Sequence, residues 1–272
     1  MVKHTLNNGQ SVTLAADQWD GSVLAFAGTS TAFGQTPTAT FTGANTLANI
    51  TDTGSATTHG QGAITLMPGG ALTTGGLTVN AATLYINERP GTTVTLNGTS
   101  TIANGSTLTA TGYAGAGTYF VNGRMNIDAT STVNMDYVTV KGTGTIHLTG
   151  NALLRSGVVS STSETVVLDG GMLSLTNRMN FQGTITSSTP AASRIGALAS
   201  VNIYNAMDAV RETFNRTTGM LGLFNAQGKE VASLKFAGSG DLYAAPTTGL
   251  ATNYMAITSH PSVGALHVAF SA

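Results

Sequence analysis

Cysteine is absent from this 272-residue chain, which removes disulfides, thiolate metal sites and cysteine nucleophiles at once. Charge is scarce: Asp, Glu, Lys and Arg make up 8% of the residues, against about 25% in ordinary proteins. With a net charge of -1 and no basic run, the chain lacks the clustered Lys and Arg on which nucleic-acid binding depends. No apolar stretch approaches the ~20 residues of a membrane span, and Met1-Val2-Lys3-His4-Thr5 lacks the apolar run of a secretory signal. What is present is not the composition of a disordered chain, because hydrophobic residues reach 41%. Thr outnumbers even the 34 glycines. Thr, Val and Ile favour pleated strands, while Gly and Asn favour the corners between them.

Those strands and corners recur. Leu96-Asn97-Gly98-Thr99-Ser100-Thr101-Ile102 is followed by Val121-Asn122-Gly123-Arg124-Met125-Asn126-Ile127 and then by Leu148-Thr149-Gly150-Asn151-Ala152-Leu153-Leu154. From Gly98 to Gly123 is 25 residues and from Gly123 to Gly150 is 27, the scale of a solenoid repeat. Gly115 to Gly123 lies over Gly142 to Gly150 at the same 27, with three glycines and one threonine shared. Ser106-Thr107-Leu108 lies over Ser131-Thr132-Val133 at 25. Because strand side chains alternate between faces, Val94, Leu96, Ile102, Tyr119, Val121, Ile127, Ile146, Leu148 and Leu154 are expected to point inward. On this register Leu96, Val121 and Leu148 share one buried column.

The predicted fold class is all-β: a right-handed parallel β-helix, with a small mixed module of strands, a hairpin and one short helix at the C-terminus. Residues 1–190 are assigned to the solenoid and 191–272 to a capping or assembly module, the boundary falling at the Ser187-Ser188-Thr189-Pro190 cluster. Upstream, Ser11-Val12-Thr13-Leu14, Ser22 to Phe26, Ala39-Thr40-Phe41 and Ala63 to Leu66 read as strands, with a long loop excursion expected between Gly28 and Gln61. In the module, Asn205 as N-cap with Met207, Val210 and Phe214 on one face, ended by Gly219, predicts the helix. Met220 to Phe224 and Val231 to Phe236 predict a hairpin, and Tyr254 to Thr258 and Ala265 to Phe270 two further strands.

The inward aliphatics with Asn-Gly and Gly-x-Gly-Thr corners over residues 81 to 180 resemble the parallel β-helix of bacterial secreted and surface proteins. Autotransporter passengers and filamentous-haemagglutinin-like adhesins are the likeness meant. The resemblance implies an extracellular adhesive or structural role. The chain departs from that pattern in lacking an N-terminal signal and a membrane-barrel segment, so the expectation is either export by a route reading an uncleaved C-terminal signal, for which Ala265 to Ala272 offers an apolar tail, or a processed fragment.

Polysaccharide lyases and glycosidases use this fold too, so a catalytic site is one reading of its few charged residues. Glycoside hydrolysis requires two carboxyls roughly 5 to 9.5 Å apart. Asp128 and Asp136 are the nearest pair, but Asp128 follows inward Ile127 and therefore faces out, where it is expected to stack on Arg155 one rung away as an exposed ion pair, at about 4.8 Å between rungs. Lys141, Arg124 and Arg155 are the only candidate lyase cations in the rungs, and they are isolated in sequence. Glu88-Arg89-Pro90 reads as a solvated corner. His4, His59, His147, His260 and His267 show no ligand spacing, and His147 aligns with Phe120 on the outer face. Asp17 and Asp20 before Gly21, or Asp169 before Gly170-Gly171, are the candidates for a calcium site. Asn49, Asn97, Asn104 and Asn215 match the glycosylation acceptor pattern, two of them at β-corners.

No catalytic, cofactor-binding or metal-ligating set is assigned, and the chain is read as no enzyme. The first expectation is an extracellular structural protein, a self-assembling filament or matrix-fibre subunit of a bacterial surface or biofilm, whose partners are copies of itself joined head to tail. The alternative is a monomeric or trimeric adhesin whose outward threonines grip a cell-surface or matrix polysaccharide. A polysaccharide-cleaving β-helix ranks third. No nucleic acid and no membrane span are expected.

Overall fold

The computed structural model describes residues 1–29, 35–55, 57–112, 117–159, 164–176, 181–186, 199–204, 209–215, 217–236, 256–260 and 265–270. Alternation of one buried and one outward residue along nearly every strand drives the architecture, because a strand with one apolar face can bury it only against another such face. The result is an all-β parallel β-solenoid.

The chain climbs coil by coil. The first coil holds β1 (Lys3–Asn7) and β2 (Ser11–Leu14). Four coils with three strands each follow: β3 (Val23–Ala27), β4 (Thr38–Phe41), β5 (Ala44–Leu47); β6 (Asn49–Thr53), β7 (Gly60–Leu66), β8 (Ala71–Thr74); β9 (Leu77–Asn80), β10 (Ala82–Glu88), β11 (Thr93–Leu96); β12 (Thr99–Ala103), β13 (Thr107–Gly112), β14 (Thr118–Val121). Later coils have two strands each: β15 (Arg124–Ile127) and β16 (Thr132–Lys141), β17 (Thr145–Thr149) and β18 (Leu153–Val159), β19 (Thr165–Asp169) and β20 (Met172–Leu175), β21 (Thr184–Thr186) and β22 (Ala199–Tyr204). The first strand of each coil stacks into one face and the second into another. β5, β8, β11 and β14 build a third.

Register partners measure each coil. Lys3 to Val23 is 20 residues, Val23 to Asn49 is 26, Ile50 to Leu77 is 27, Thr78 to Thr101 is 23 and Thr99 to Arg124 is 25. Arg124 to Thr145 then drops to 21, Thr145 to Thr165 to 20 and Thr165 to Thr184 to 19. The drop coincides with the loss of a separate third-face strand. β16 runs through two faces in one piece, pairing with β13 at Thr132 to Asn134 and with β14 at Thr118↔Thr139 to Phe120↔Lys141. Its pairing with β18 slips between Met135 and Thr139, so a bulge replaces a corner.

All nine residues expected to point inward are buried. The columns, however, differ from the expected ones in the third repeat. Leu96 stacks on Val121 and Ile102 on Ile127, at 25 as expected. Leu148 stacks on Ile127, not on Val121, and Leu154 stacks on Val133. The expected column of Leu96, Val121 and Leu148 is therefore corrected, as is the overlay of Gly115 to Gly123 on Gly142 to Gly150. The corner that follows Gly98 and Gly123 is Gly144, not Gly150. Arg124 N donates to Gly98 O at 3.1 Å, Thr145 N to Gly123 O at 2.9 Å and Thr165 N to Gly144 O at 3.0 Å, which defines one continuous corner through four coils. A Cβ at Gly98, Gly123 or Gly144 would overlap the carbonyl oxygen of the corner before it. Glycine is required there by close backbone approach.

Two further expectations are corrected. Where a loop excursion was expected, the described residues 35–55 hold β4, β5 and β6, which carry all three faces; outward Thr and Asn side chains hide these short strands in the sequence. The expected helix is also absent, for residues 209–215 form β23 (Ala209–Asn215), antiparallel to β24 (Met220–Asn225). The helical spacing of Val210 and Phe214 loses to the pairing demand of a free sheet edge. The predicted hairpin is present as β24 and β25 (Glu230–Phe236), and β25 joins β21 in parallel through Thr184↔Lys235. β22 continues the second face from β20, and β27 (Ala265–Phe270) and β26 (Ala256–His260) complete it as antiparallel strands.

The core is a narrow lumen. On the first face one column runs Leu6, Phe26, Asp52, Val79, Ile102, Ile127, Leu148, Leu168. On the second, Leu14, Phe41, Leu66 and Glu88 stack in order. At the N-terminal mouth the His4 and Trp19 rings stack at 4.0 Å and lie 3° from parallel, where Trp19 packs on the core.

Candidate functional site

Polar chemistry collects in two places, on the outside of the narrow coils and inside the wide ones. On the outer side of the first face, alternation leaves Arg124, Asn126, His147 and Asp169 pointing to solvent along β15, β17 and β19. Register sets Asn126 beside His147, so the earlier alignment of His147 with Phe120 is corrected; Phe120 faces Lys141. Arg124 Nε donates to Asn126 Oδ1 at 2.7 Å and its Nη2 to His147 Nδ1 at 2.8 Å. A guanidinium can only donate, so Nδ1 accepts and the ring proton sits on Nε2, which donates to Asp169 Oδ2 at 2.7 Å. Both imidazole nitrogens are thereby occupied. The cluster is a fixed polar patch of guanidinium, amide, imidazole and carboxylate, with no nitrogen left to take a proton from a substrate.

Around the second face the expected ion pair changes partner. Arg155 Nη2 lies 3.0 Å from Asp136 Oδ2, and not on Asp128. The reason is the register: Asn134 lies opposite Arg155, which brings Asp136 within reach, whereas Asp128 sits in the corner between β15 and β16. Burial raises the Asp136 carboxyl, and Arg155 and the Thr176 hydroxyl partly offset it. Asp128 instead fastens two coils together. It accepts from Asn104 N at 2.6 Å, Thr130 N at 3.1 Å, Thr130 Oγ1 at 3.0 Å and Ser131 Oγ at 2.6 Å. Slight burial works against ionisation, but these hydrogen bonds, led by Ser131, outweigh it and hold the carboxyl below the ordinary range.

The remaining expected candidates are scattered. Arg124 belongs to the first face, Arg155 to the second and Lys141 to the end of β16 beside β14, so the three cations do not converge. Asp20 Oδ1 accepts from Thr46 N at 2.6 Å in the first coil, far along the chain from Asp169 and its histidine. Among the described residues no group of three His, Asp or Glu could hold a metal ion. His59 contacts Thr83 Oγ1 at 3.1 Å, while the side chains of His260 and His267 lie outside the described residues. Asn97 accepts from Asn122 Nδ2 at 3.0 Å, a ladder between successive corners. Asn49, at the start of β6, accepts from Ile50 N at 2.9 Å, and Asn215 caps the following turn by accepting from Thr217 N and Thr218 N.

Three carboxyls are buried in the interior. Asp52, Glu88 and Glu164 are 0%, 2% and 0% exposed. Glu88 corrects the expected solvated corner: Arg89 and Pro90 are exposed, but Ala82, Leu84, Ile86 and Glu88 alternate inward along β10. Its Oε2 accepts from Thr92 Oγ1 at 3.4 Å, and the side chain fills the space a Cβ at Gly117 would need. Glu164 occupies the corner position that glycine holds at residues 98, 123 and 144. The signal that could have found Glu88 is its period-two spacing from Ile86, and for Asp52 the same spacing from Ile50. Comparison with protein-family models and with curated proteins found no match for the chain.

Proposed function

We propose that the chain is a structural protein of an extracellular bacterial matrix or surface, an elongated subunit that joins copies of itself end to end. The contrast between the two ends of the strand pile carries this reading. Among the described residues β1 and β2 pair on one side only, with β3 and β4, whereas the other end of each sheet turns antiparallel through β23 to β25 and β26 to β27. Coils of a solenoid bury one another, so an end coil with open backbone groups favours a covering strand. Gln10 and Gln18 side chains already occupy the backbone N–H groups of Asn7 and Ala15, which confines the open edge to the strands themselves. Few charges oppose such contact, and a contact between unlike ends that does not close yields a fibre.

Negative-stain microscopy over a concentration series tests the reading. Filaments are expected to lengthen with concentration, and to be lost when residues 1–14 are deleted. Particles of one fixed length at every concentration would refute the fibre. A second reading, a glycan-binding adhesin, draws support from the polar patch of Arg124, Asn126, His147 and Asp169. It expects a sugar-dependent rise in melting temperature that Arg124→Ala abolishes, and no polymer.

A further inference from the structure

We propose that Asp52 and Glu88 make the lumen an acid-stabilised structure, one that loses stability as the pH rises from mildly acidic to neutral. The geometry comes first. Asp52 lies in the first-face column between Phe26 and Val79, and neither carboxyl oxygen has a hydrogen-bond partner. Glu88 stacks on Leu66 with Oε1 unpartnered, while its Oε2 accepts from the Thr92 hydroxyl at 3.4 Å. A buried carboxylate without a cation or several donors is far costlier than the neutral acid.

Nothing charged compensates among the described residues. Around Asp52, β3, β7 and β9 carry no titratable side chain, and β10 carries only Tyr85, on its outer side, and Glu88 at its far end. His59, at the neighbouring corner, is turned to Thr83 on the outer side. Around Glu88, β7, β11 and β13 carry none, Arg89 is exposed, and Tyr119 on β14 is fully buried. Its phenol is itself raised, by burial first and then by the carboxyl. Burial pushes Asp52 up to about 7 from an ordinary 3.8, and Glu88 up to about 7 from 4.5, with hydrogen bonds from Thr92 and Tyr119 only partly opposing the latter.

The sign follows from linkage. The folded state keeps the protons of Asp52 and Glu88, which the unfolded chain releases near pH 4, so the contribution of these two groups to stability is greatest below that pH, falls as the pH rises to about 7, and is level beyond. Between about pH 5 and pH 8 each group lowers the folding equilibrium constant on the order of a hundredfold.

Urea unfolding of the full chain from about pH 5 to pH 8 reads this directly. Wild type is expected to lose stability as the pH rises. Asp52→Asn and Glu88→Gln, neutral mimics of the protonated acids, are each expected to remove a hundredfold share of that loss, while groups elsewhere cancel in the difference. Asp52→Val, which completes the aliphatic column, is expected to be more stable than wild type at pH 8, and it serves if the amide variants fail to fold. A wild-type curve that is flat or rising over this window overturns the proposal. So does a set of variants that keep the full wild-type slope.

Discussion

The coils from β3 to β14 and those from β15 to β21 use the same inward aliphatic ladder but enclose it differently. The wide set spends 23 to 27 residues per coil and has three faces, whereas the narrow set spends 19 to 21 and merges two of them. The ladder passes from one set to the other without interruption, through Ile102, Ile127, Leu148 and Leu168. Stacking is thus conserved while circumference is not. The corner glycines and the bulge in β16 take up the difference, because a strand needs its neighbour at a fixed spacing but the loop around the lumen has no fixed length.

The largest effect that would break this comparison is at the shared corner. Gly123→Val in the last wide coil and Gly144→Val in the first narrow one both force a side chain into the preceding carbonyl. Each is expected to cost more than about 4 kcal/mol in urea unfolding. Gly105→Ala, where φ is +73° and the Cβ position is open, is expected to cost only about 1 kcal/mol. Equal costs at all three would mean the corner is not continuous.

Next come the columns. Ile127→Ala and Leu148→Ala should each cost about 2 to 5 kcal/mol, and a double-mutant cycle should give a coupling of about 0.5 to 3 kcal/mol. Val121 with Leu148 should couple less. The reverse result would restore the 27-residue register.

Smaller effects sharpen the electrostatics. Arg155→Ala leaves the half-buried Asp136 without its cation and should cost about 1 to 3 kcal/mol. Asp128→Asn should cost about 1 kcal/mol near neutral pH and less in acid, because a lowered carboxyl adds stability above its unfolded pKa and loses it as the pH falls through the folded one. That trend is opposite to the one expected for Asp52→Asn. The smallest change is on the outer threonines: Thr78→Ser, within the stacked row Thr51, Thr78, Thr101, should shift stability by no more than about 0.5 kcal/mol.

Much of this architecture is legible in the residue order. Inward and outward residues of β11 to β18 follow from alternation, and the 25-residue offsets at Leu96 and Leu108 hold. The next offset fails because Gly144 and Gly150 both lie near the end of a threonine-rich strand, and residue order cannot say which of them approaches a carbonyl. The ion pair fails for a related reason: Arg155 is six residues from the corner it was given and finds Asp136 through a register that includes the bulge. The helix over residues 205–219 satisfies a local spacing that the edge of β24 overrules.

By itself, then, the sequence determined the class of fold and which side chains enter the lumen, because facing depends only on period two within each strand. The tertiary structure alone decided how long each coil is, which side chains stack, and that Glu164, at a corner outside any strand, shares the interior with leucines. Those outcomes depend on contacts between residues 19 to 27 apart, where the cost of a corner in one coil is set by the backbone of the coil beneath it.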